Sequence, residues 1–171
     1  MATIRPFKGF RPTPELCSKV AALPYDVMTS KEAREMVKND PYSFLHVDRA
    51  EIDLPENVDI YSKEVYEKAA SNLNKMIEDK VLIQDSKPVF YIYSLTMNGR
   101  EQIGLVVCTS IDEYLNNTIK KHEFTRADKE QDRINHVDYC NANTGPIFLT
   151  YKNQKTIDQI ISKEIEKAPI Y

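Results

Sequence analysis

Between Lys120 and His136 the chain gathers the residue types that phosphate chemistry uses. The run Lys120-Lys121-His122-Glu123-Phe124-Thr125-Arg126 leads into a charged stretch, Ala127 to Cys140, with helical patterning. Thr125 stands where a hydroxyl can accept from a first-turn amide, and Asp128, three residues on, completes a variant of the capping box. A helix N-terminus presents unpaired N–H groups and the positive end of the helix dipole, which together favour phosphate or carboxylate. At about 100° per residue, Arg126, Lys129, Arg133 and His136 fall within a sector of about 80°, so they form one cationic stripe.

Phosphoryl transfer needs cations around the phosphoryl oxygens, commonly Mg2+ on one or two carboxylates, and a base for the attacking hydroxyl. Glu123, Glu130 and Asp132 are of the right type for those tasks. The competing reading is a solvated helix laced by pairs such as Glu130 with Lys129 or Arg133. From Lys120 to His136 five Lys or Arg stand against four Asp or Glu, a balance that suits mixed-charge chemistry better than adhesion to a polyanion. Asp26, in Leu23-Pro24-Tyr25-Asp26-Val27, is either a turn residue bonding backbone amides or a substrate contact. His46, flanked by Leu45 and Val47, is either a half-buried hydrogen-bonded residue or a ligand group. Thr144-Gly145-Pro146 reads as a phosphate-contacting turn or a plain helix-to-strand connection. Walker A, GxGxxG, GxSxG and HExxH patterns do not occur.

The elements that must position these residues belong to an expected single domain spanning 1–171, since a chain of this length can bury one sizeable core. Charged residues make up 29% and the net charge is −3, which offers no long-range attraction to nucleic acid or anionic membrane. With no secretory signal at the start and no apolar stretch of spanning length, the expectation is a soluble cytoplasmic protein acting on a small molecule. Cys17, Cys108 and Cys140 are too few and too scattered for a disulfide framework or a structural zinc site.

Thr3 to Phe7 predicts a short edge strand, Lys31 to Lys38 a helix entered at Thr29 or Ser30, and Ser43 to Val47 a short strand. Val65, Ala69, Leu73, Met76 and Ile77 mark the core face of a long helix capped at Asp59 or Ser62. Residues 88–97 and 100–110 flank Asn98-Gly99 and predict an antiparallel hairpin. Ser110 should open a helical turn, Ile147 to Tyr151 should form a buried strand, and Thr156 to Lys167 an amphipathic helix. The predicted class is α/β of the α+β type, a mixed, partly antiparallel sheet with flanking helices.

The segments IRPFKGFRP, LPYDV, SFLHVDRAEID, GLVVC, KKHEFTRADKEQDR and TGPIFL occur here in the order and spacing of one family. On these motifs the chain resembles the N-terminal half of the family called domain of unknown function 1015, along nearly its whole length. Leu23-Pro24 replaces that family's double proline, and Ala50 a common proline. The resemblance implies the N-terminal part of a longer protein, an incomplete substrate pocket, and a distant similarity to the ParB and sulfiredoxin superfamily. It also implies a pyrophosphate-dependent L-serine kinase, with Mg2+ and pyrophosphate as donor. Carried over by position, His122, Thr125, Arg126, Lys129 and Arg133 would bind pyrophosphate, and Glu123 or Asp132 would serve as base or metal ligand. Lys121 and His136, as members of the same cationic segment, are taken as further phosphate contacts, and Asp26 and His46 as substrate contacts. The other expectation is a non-catalytic ParB-like domain that holds a nucleotide or phosphate for regulation.

Overall fold

The computed structural model describes residues 2–122 and 124–171, and the expectation for Glu123 lies outside them. In chain order the strands are β1 (Ile4–Arg5), β2 (Phe10–Pro12), β3 (Leu82–Gln84), β4 (Tyr91–Met97), β5 (Arg100–Val106) and β6 (Cys108–Thr109). The helices are α1 (Cys17–Val20), α2 (Ser30–Val37), α3 (Leu45–Asp48), α4 (Lys63–Glu78), α5 (Ile111–Leu115), α6 (Ala127–Cys140) and α7 (Lys155–Glu164), with a 3-10 turn over Ala50–Asp53. The class is α+β as expected, and among the described residues the strands form three two-stranded ribbons, β1·β6, β2·β3 and β4·β5, rather than one mixed, partly antiparallel sheet.

The contacts group the chain into two compact units. One, the helical unit, comprises Phe10–Ile83 and Thr125–Gly145, and the other, the ribbon unit, comprises Met1–Gly9, Gln84–Phe124 and Pro146–Tyr171.

In the helical unit, α2 starts with a capping box at Thr29. Glu32 N–H donates to Thr29 Oγ1 at 3.3 Å and Thr29 N–H to Glu32 Oε2 at 2.8 Å. α4 buries Val65, Tyr66, Ala69, Leu73 and Met76 and packs against α6, α3 and the 3-10 turn. Each such aliphatic side chain contributes about 1.5–3 kcal/mol on full burial. Its N-cap is Ser62, which makes no side-chain cap bond, while Asp59 accepts from Tyr61 N–H instead.

Ser43 to Val47 is not a strand. Leu45–Asp48 is a helical turn in which Leu45 and Val47 are both fully buried. Two residues apart on a helix point roughly 200° apart, so the two side chains enter different clusters. Leu45 joins Ala33, Val37 and Ile52, and Val47 joins Ala69 and Leu73. A short helix buried on both sides therefore shows the same alternation that a strand would, and a five-residue run cannot separate the two.

In the ribbon unit, β4 and β5 pair antiparallel from Tyr91↔Val106 to Met97↔Arg100. Asn98 and Gly99 both take positive φ, 53° and 75°, as a type I′ turn requires. β1 pairs with β6 through Ile4↔Thr109 and Arg5↔Cys108. Gly9 N–H donates to Tyr91 Oη at 2.8 Å, and a Cβ at Gly9 would meet that oxygen at 2.7 Å, so a side chain there would push the Tyr91 hydroxyl aside. Ser110 caps α5 through Glu113 N–H.

Residues 147–151 form no strand, and Ile147 and Phe148 are each about three-quarters exposed. Apolar composition supplies strand propensity, but a strand exists only where a neighbour completes its hydrogen-bond ladder, and among the described residues none pairs with this run. α7 forms as expected, yet its apolar face buries no residue.

Candidate functional site

α6 is the element around which the charged residues are organised. Its N-cap is Arg126, one residue later than the sequence suggests, and no side chain caps it. The Thr125 and Asp128 capping box is not formed. Asp128 instead pairs with Arg126, Nε to Oδ1 at 3.1 Å and Nη2 to Oδ2 at 2.8 Å. With Arg126 78% exposed, that pair contributes little to stability.

The expected cationic stripe becomes a gradient of burial down the helix. Lys129 Nζ donates to Tyr61 Oη at 2.7 Å on the surface. One turn on, Arg133 donates to Asp132 Oδ2 from Nε at 3.1 Å and from Nη2 at 2.9 Å, and its guanidinium lies 4.2 Å from the Tyr25 ring centroid. His136 is only 4% exposed, and its Nε2 lies 3.1 Å from the carbonyl oxygen of Val47. Asp132, His136 and Cys140, spaced four apart, form the buried face of α6. That face is polar where α4's is apolar. The pairs expected for Glu130 are replaced by these contacts.

Both oxygens of Asp132 accept hydrogen bonds, Oδ1 from the Tyr66 hydroxyl at 2.9 Å and Oδ2 from Arg133. Burial, the largest influence on the Tyr66 phenol, pushes its pKa up and keeps the hydroxyl a donor.

Asp48, the last residue of α3, belongs to the same cluster. Its Oδ1 is buried with no protein partner, as is His136 Nδ1. Burial pushes the Asp48 carboxyl above its ordinary range, against the lowering influence of a hydrogen bond with Thr144 and the positive fields of His136 and Arg133. His136 Nε2 faces the Val47 carbonyl, an acceptor only, while Nδ1 has no partner among the described residues. A buried polar atom left without a partner costs about 1–3 kcal/mol, and such atoms concentrate where function requires them. Burial of Cys140 raises its thiol to about 11, which keeps it inert.

Tyr25 is held from below. Arg49 donates to the Tyr25 carbonyl at 3.0 Å and to Ser30 Oγ at 2.9 Å. Its Nε lies 2.8 Å from Glu51 Oε1, an ion pair without the alignment of a hydrogen bond. The Pro24–Val27 turn thus carries an anchored aromatic ring against Arg133, while Asp26 on the same turn is exposed.

His46 sits on α3, not on a strand, with Nδ1 at 2.9 Å from Asp53 Oδ1 and Nε2 at 3.2 Å from the Asp40 carbonyl. Both nitrogens face acceptors, which favours the imidazolium, and the Asp53 hydrogen bond raises its pKa against the opposing effect of burial. Asn72 closes the group by donating to Asp53 Oδ2 at 2.8 Å and to the His46 carbonyl. His46 is thus hydrogen-bonded through both ring nitrogens and half-buried.

Thr125, Glu130, Arg133, Ile134, Val137 and Asp138 line an open cleft of about 390 Å3. Thr125, Arg126, Lys129, Asp132, Arg133 and His136 belong to the helical unit, as do Asp26 and His46, whereas Lys121 and His122 belong to the ribbon unit. There Lys121 Nζ lies 4.5 Å from the Tyr114 ring centroid and His122 is exposed. Asp48, Tyr66 and Tyr25 were not singled out from sequence. The one available signal was Asp48 itself, an acid closing an apolar run.

An α+β protein with a mixed-charge cleft and a buried polar cluster along one helix is the class these features define. Residues 4–171 match the family described as Protein of unknown function (DUF1015), and the chain belongs to that family. No curated protein and no solved structure matches it. No helix among the described residues is long and apolar enough to cross a membrane.

Proposed function

We propose that this is a phosphate-handling domain of a phosphotransferase that moves a phosphoryl group from pyrophosphate to a small hydroxylated metabolite such as L-serine. The observation that carries this reading is Arg133. It is the cation of the segment that is fixed on two sides, by Asp132 and by the Tyr25 ring, while lining a cleft shared with Thr125 at the start of α6. A pre-oriented guanidinium binds phosphate oxygens without further ordering cost, and Lys129 lies one turn away on the same helix.

Mg2+ needs only one or two carboxylates when phosphate supplies the remaining oxygens. Glu130 and Asp138 line the same cleft about two turns apart, so one of them would supply a single carboxylate. Bound there, the ion would neutralise charge on the phosphate. Among the described residues no group of three His, Cys, Asp or Glu side chains forms a cage of its own.

The test is incubation of the protein with Mg2+, pyrophosphate and L-serine, with phosphoserine as the expected product. Absence of product while a verified pyrophosphate-dependent serine kinase turns over in parallel counts against the reading. Arg133→Ala should weaken pyrophosphate binding by about tenfold or more in calorimetry.

One observation favours a second reading, a ParB-like domain that binds nucleotide or phosphate for regulation. Both oxygens of Asp132, the described residue expected to act as base, are occupied. Thermal stabilisation by nucleotides but not by pyrophosphate would select it.

A further inference from the structure

His46 holds two acceptors with one imidazole. Its Nδ1 lies 2.9 Å and 3.1 Å from the two oxygens of Asp53, and its Nε2 lies 3.2 Å from the carbonyl oxygen of Asp40. Burial would raise the Asp53 pKa, but the hydrogen bond and charge of His46 outweigh it and keep the carboxylate ionised. Both contacts are therefore hydrogen bonds only while both ring nitrogens carry protons, and a neutral ring has one proton for the two. A carboxylate is a stronger acceptor than a neutral carbonyl, so the remaining proton stays on Nδ1. The Nε2 lone pair is then left facing the Asp40 oxygen.

The Asp40 contact orients the connection from α2 to α3. Its ends are anchored by Asp40 N–H donating to the Val37 carbonyl at 2.8 Å and Phe44 N–H to the Val20 carbonyl at 3.0 Å. Between them the Asp40 carboxylate accepts from Tyr42 N–H at 3.1 Å, while the Asp40 carbonyl accepts from Ser43 N–H only over 3.4 Å. His46 is the shorter of the two contacts holding that carbonyl. Asp40 and Ser43 also line a cavity of about 340 Å3 with Leu23, Met36 and Leu45.

We propose that His46 is a proton-operated latch: protonated, it clamps the Asp40–Ser43 turn to the 3-10 turn, and deprotonated, it releases that turn and with it one wall of the cavity. Movement falls on the Asp40 side because Asn72 of α4 fixes the other, donating to Asp53 Oδ2 at 2.8 Å and to the His46 carbonyl at 2.6 Å. The charged groups facing the ring are Asp53 from the 3-10 turn and Asp40 from the connection, and Lys68 of α4 acts on Asp53. The His46 side chain keeps 18% exposure, which gives its proton access to solvent. The Asp53 hydrogen bond raises the His46 pKa against burial, which places the release above 6.5. None of this depends on the phosphate reading.

Nitrogen-15 NMR of the full chain from about pH 5 to about pH 9 reads both parts of the latch, since His46→Gln assigns one of only three histidines. His46 should titrate to the Nδ1–H tautomer. Exchange of the Tyr42 and Ser43 amides, corrected for its intrinsic rise with pH, should quicken by about tenfold with the same midpoint, while Leu73 in α4 stays protected. Asp53→Asn removes the carboxylate that favours the imidazolium, so both midpoints should move to lower pH together. A neutral ring protonated on Nε2, or exchange at Tyr42 and Ser43 that does not follow the ring, overturns the proposal from the wild-type chain alone. Midpoints that separate in Asp53→Asn overturn it as well.

Discussion

The helical unit and the ribbon unit carry comparable numbers of apolar residues but use them differently. Among the described residues every buried hydrophobic side chain, from Val20 to Leu82 and Cys140, lies in the helical unit. The ribbon unit leaves Tyr93, Leu95 and Met97 of β4, Ile147 and Phe148, and Ile160 of α7 exposed. One unit is held by side-chain packing, the other by hairpin and ribbon hydrogen bonds with a few side-chain ties such as Thr3 to Glu113. A helix completes its own backbone bonds and needs only a surface to bury its stripe. A two-stranded ribbon has no second layer to cover its faces. The polar cluster is in the unit that has a core, where packing can hold unpartnered atoms such as Asp48 Oδ1 in place.

Core truncation separates the units most sharply. Leu73→Ala should cost about 2–5 kcal/mol in chemical denaturation, and Ile160→Ala, at a position 59% exposed, should stay within about 0.5 kcal/mol. Equal losses would remove the distinction.

A second contrast is in pH dependence. His46 has its pKa raised above 6.5, so its contribution is complete below that value and is lost as pH rises through the folded-state pKa. Asp53 sits below 3.8: burial alone would raise it, and the His46 hydrogen bond and charge outweigh burial. Its contribution is present above 3.8 and lost as pH falls through the depressed pKa. The pair therefore stabilises the window between the two. His46→Gln should cost about 1.5 kcal/mol at about pH 6 and much less at about pH 9, read as paired thermal melts. A loss that does not vary with pH contradicts the imidazolium assignment.

In the ribbon unit, Gly99→Ala places a Cβ at φ 75° and should cost about 1 kcal/mol. The change should appear as faster amide exchange in β4 and β5 with α4 unaffected; slower exchange in β4 and β5, or faster exchange in α4, breaks the picture of separately held units.

The smallest expected change has the opposite sign. Asp48→Asn removes a buried carboxylate with an unpartnered oxygen and should raise the melting temperature by about 2–4 °C. A lowered melting temperature would show that Asp48 is a structural anchor.

Local chemistry was legible in the sequence. The Asn98-Gly99 turn, the Thr29 cap and the α4 stripe all rest on interactions within a few residues, and each is where the spacing puts it. Membership in the family was legible for the same reason, through runs of consecutive residues. Tertiary structure alone decided that Ser43 to Val47 turns into a helix between two clusters, and that 147–151 finds no strand partner among the described residues. It also decided which of the charges on α6 are free. Arg126, Lys129, Arg133 and His136 are equivalent on a helical wheel, yet they run from open solvent to full burial because α6 leans its inner end against α4 and the Val47 carbonyl. Spacing along a helix sets which side chains share a face. Only the packing of that face against other elements sets the desolvation and partners that turn a charge into a site.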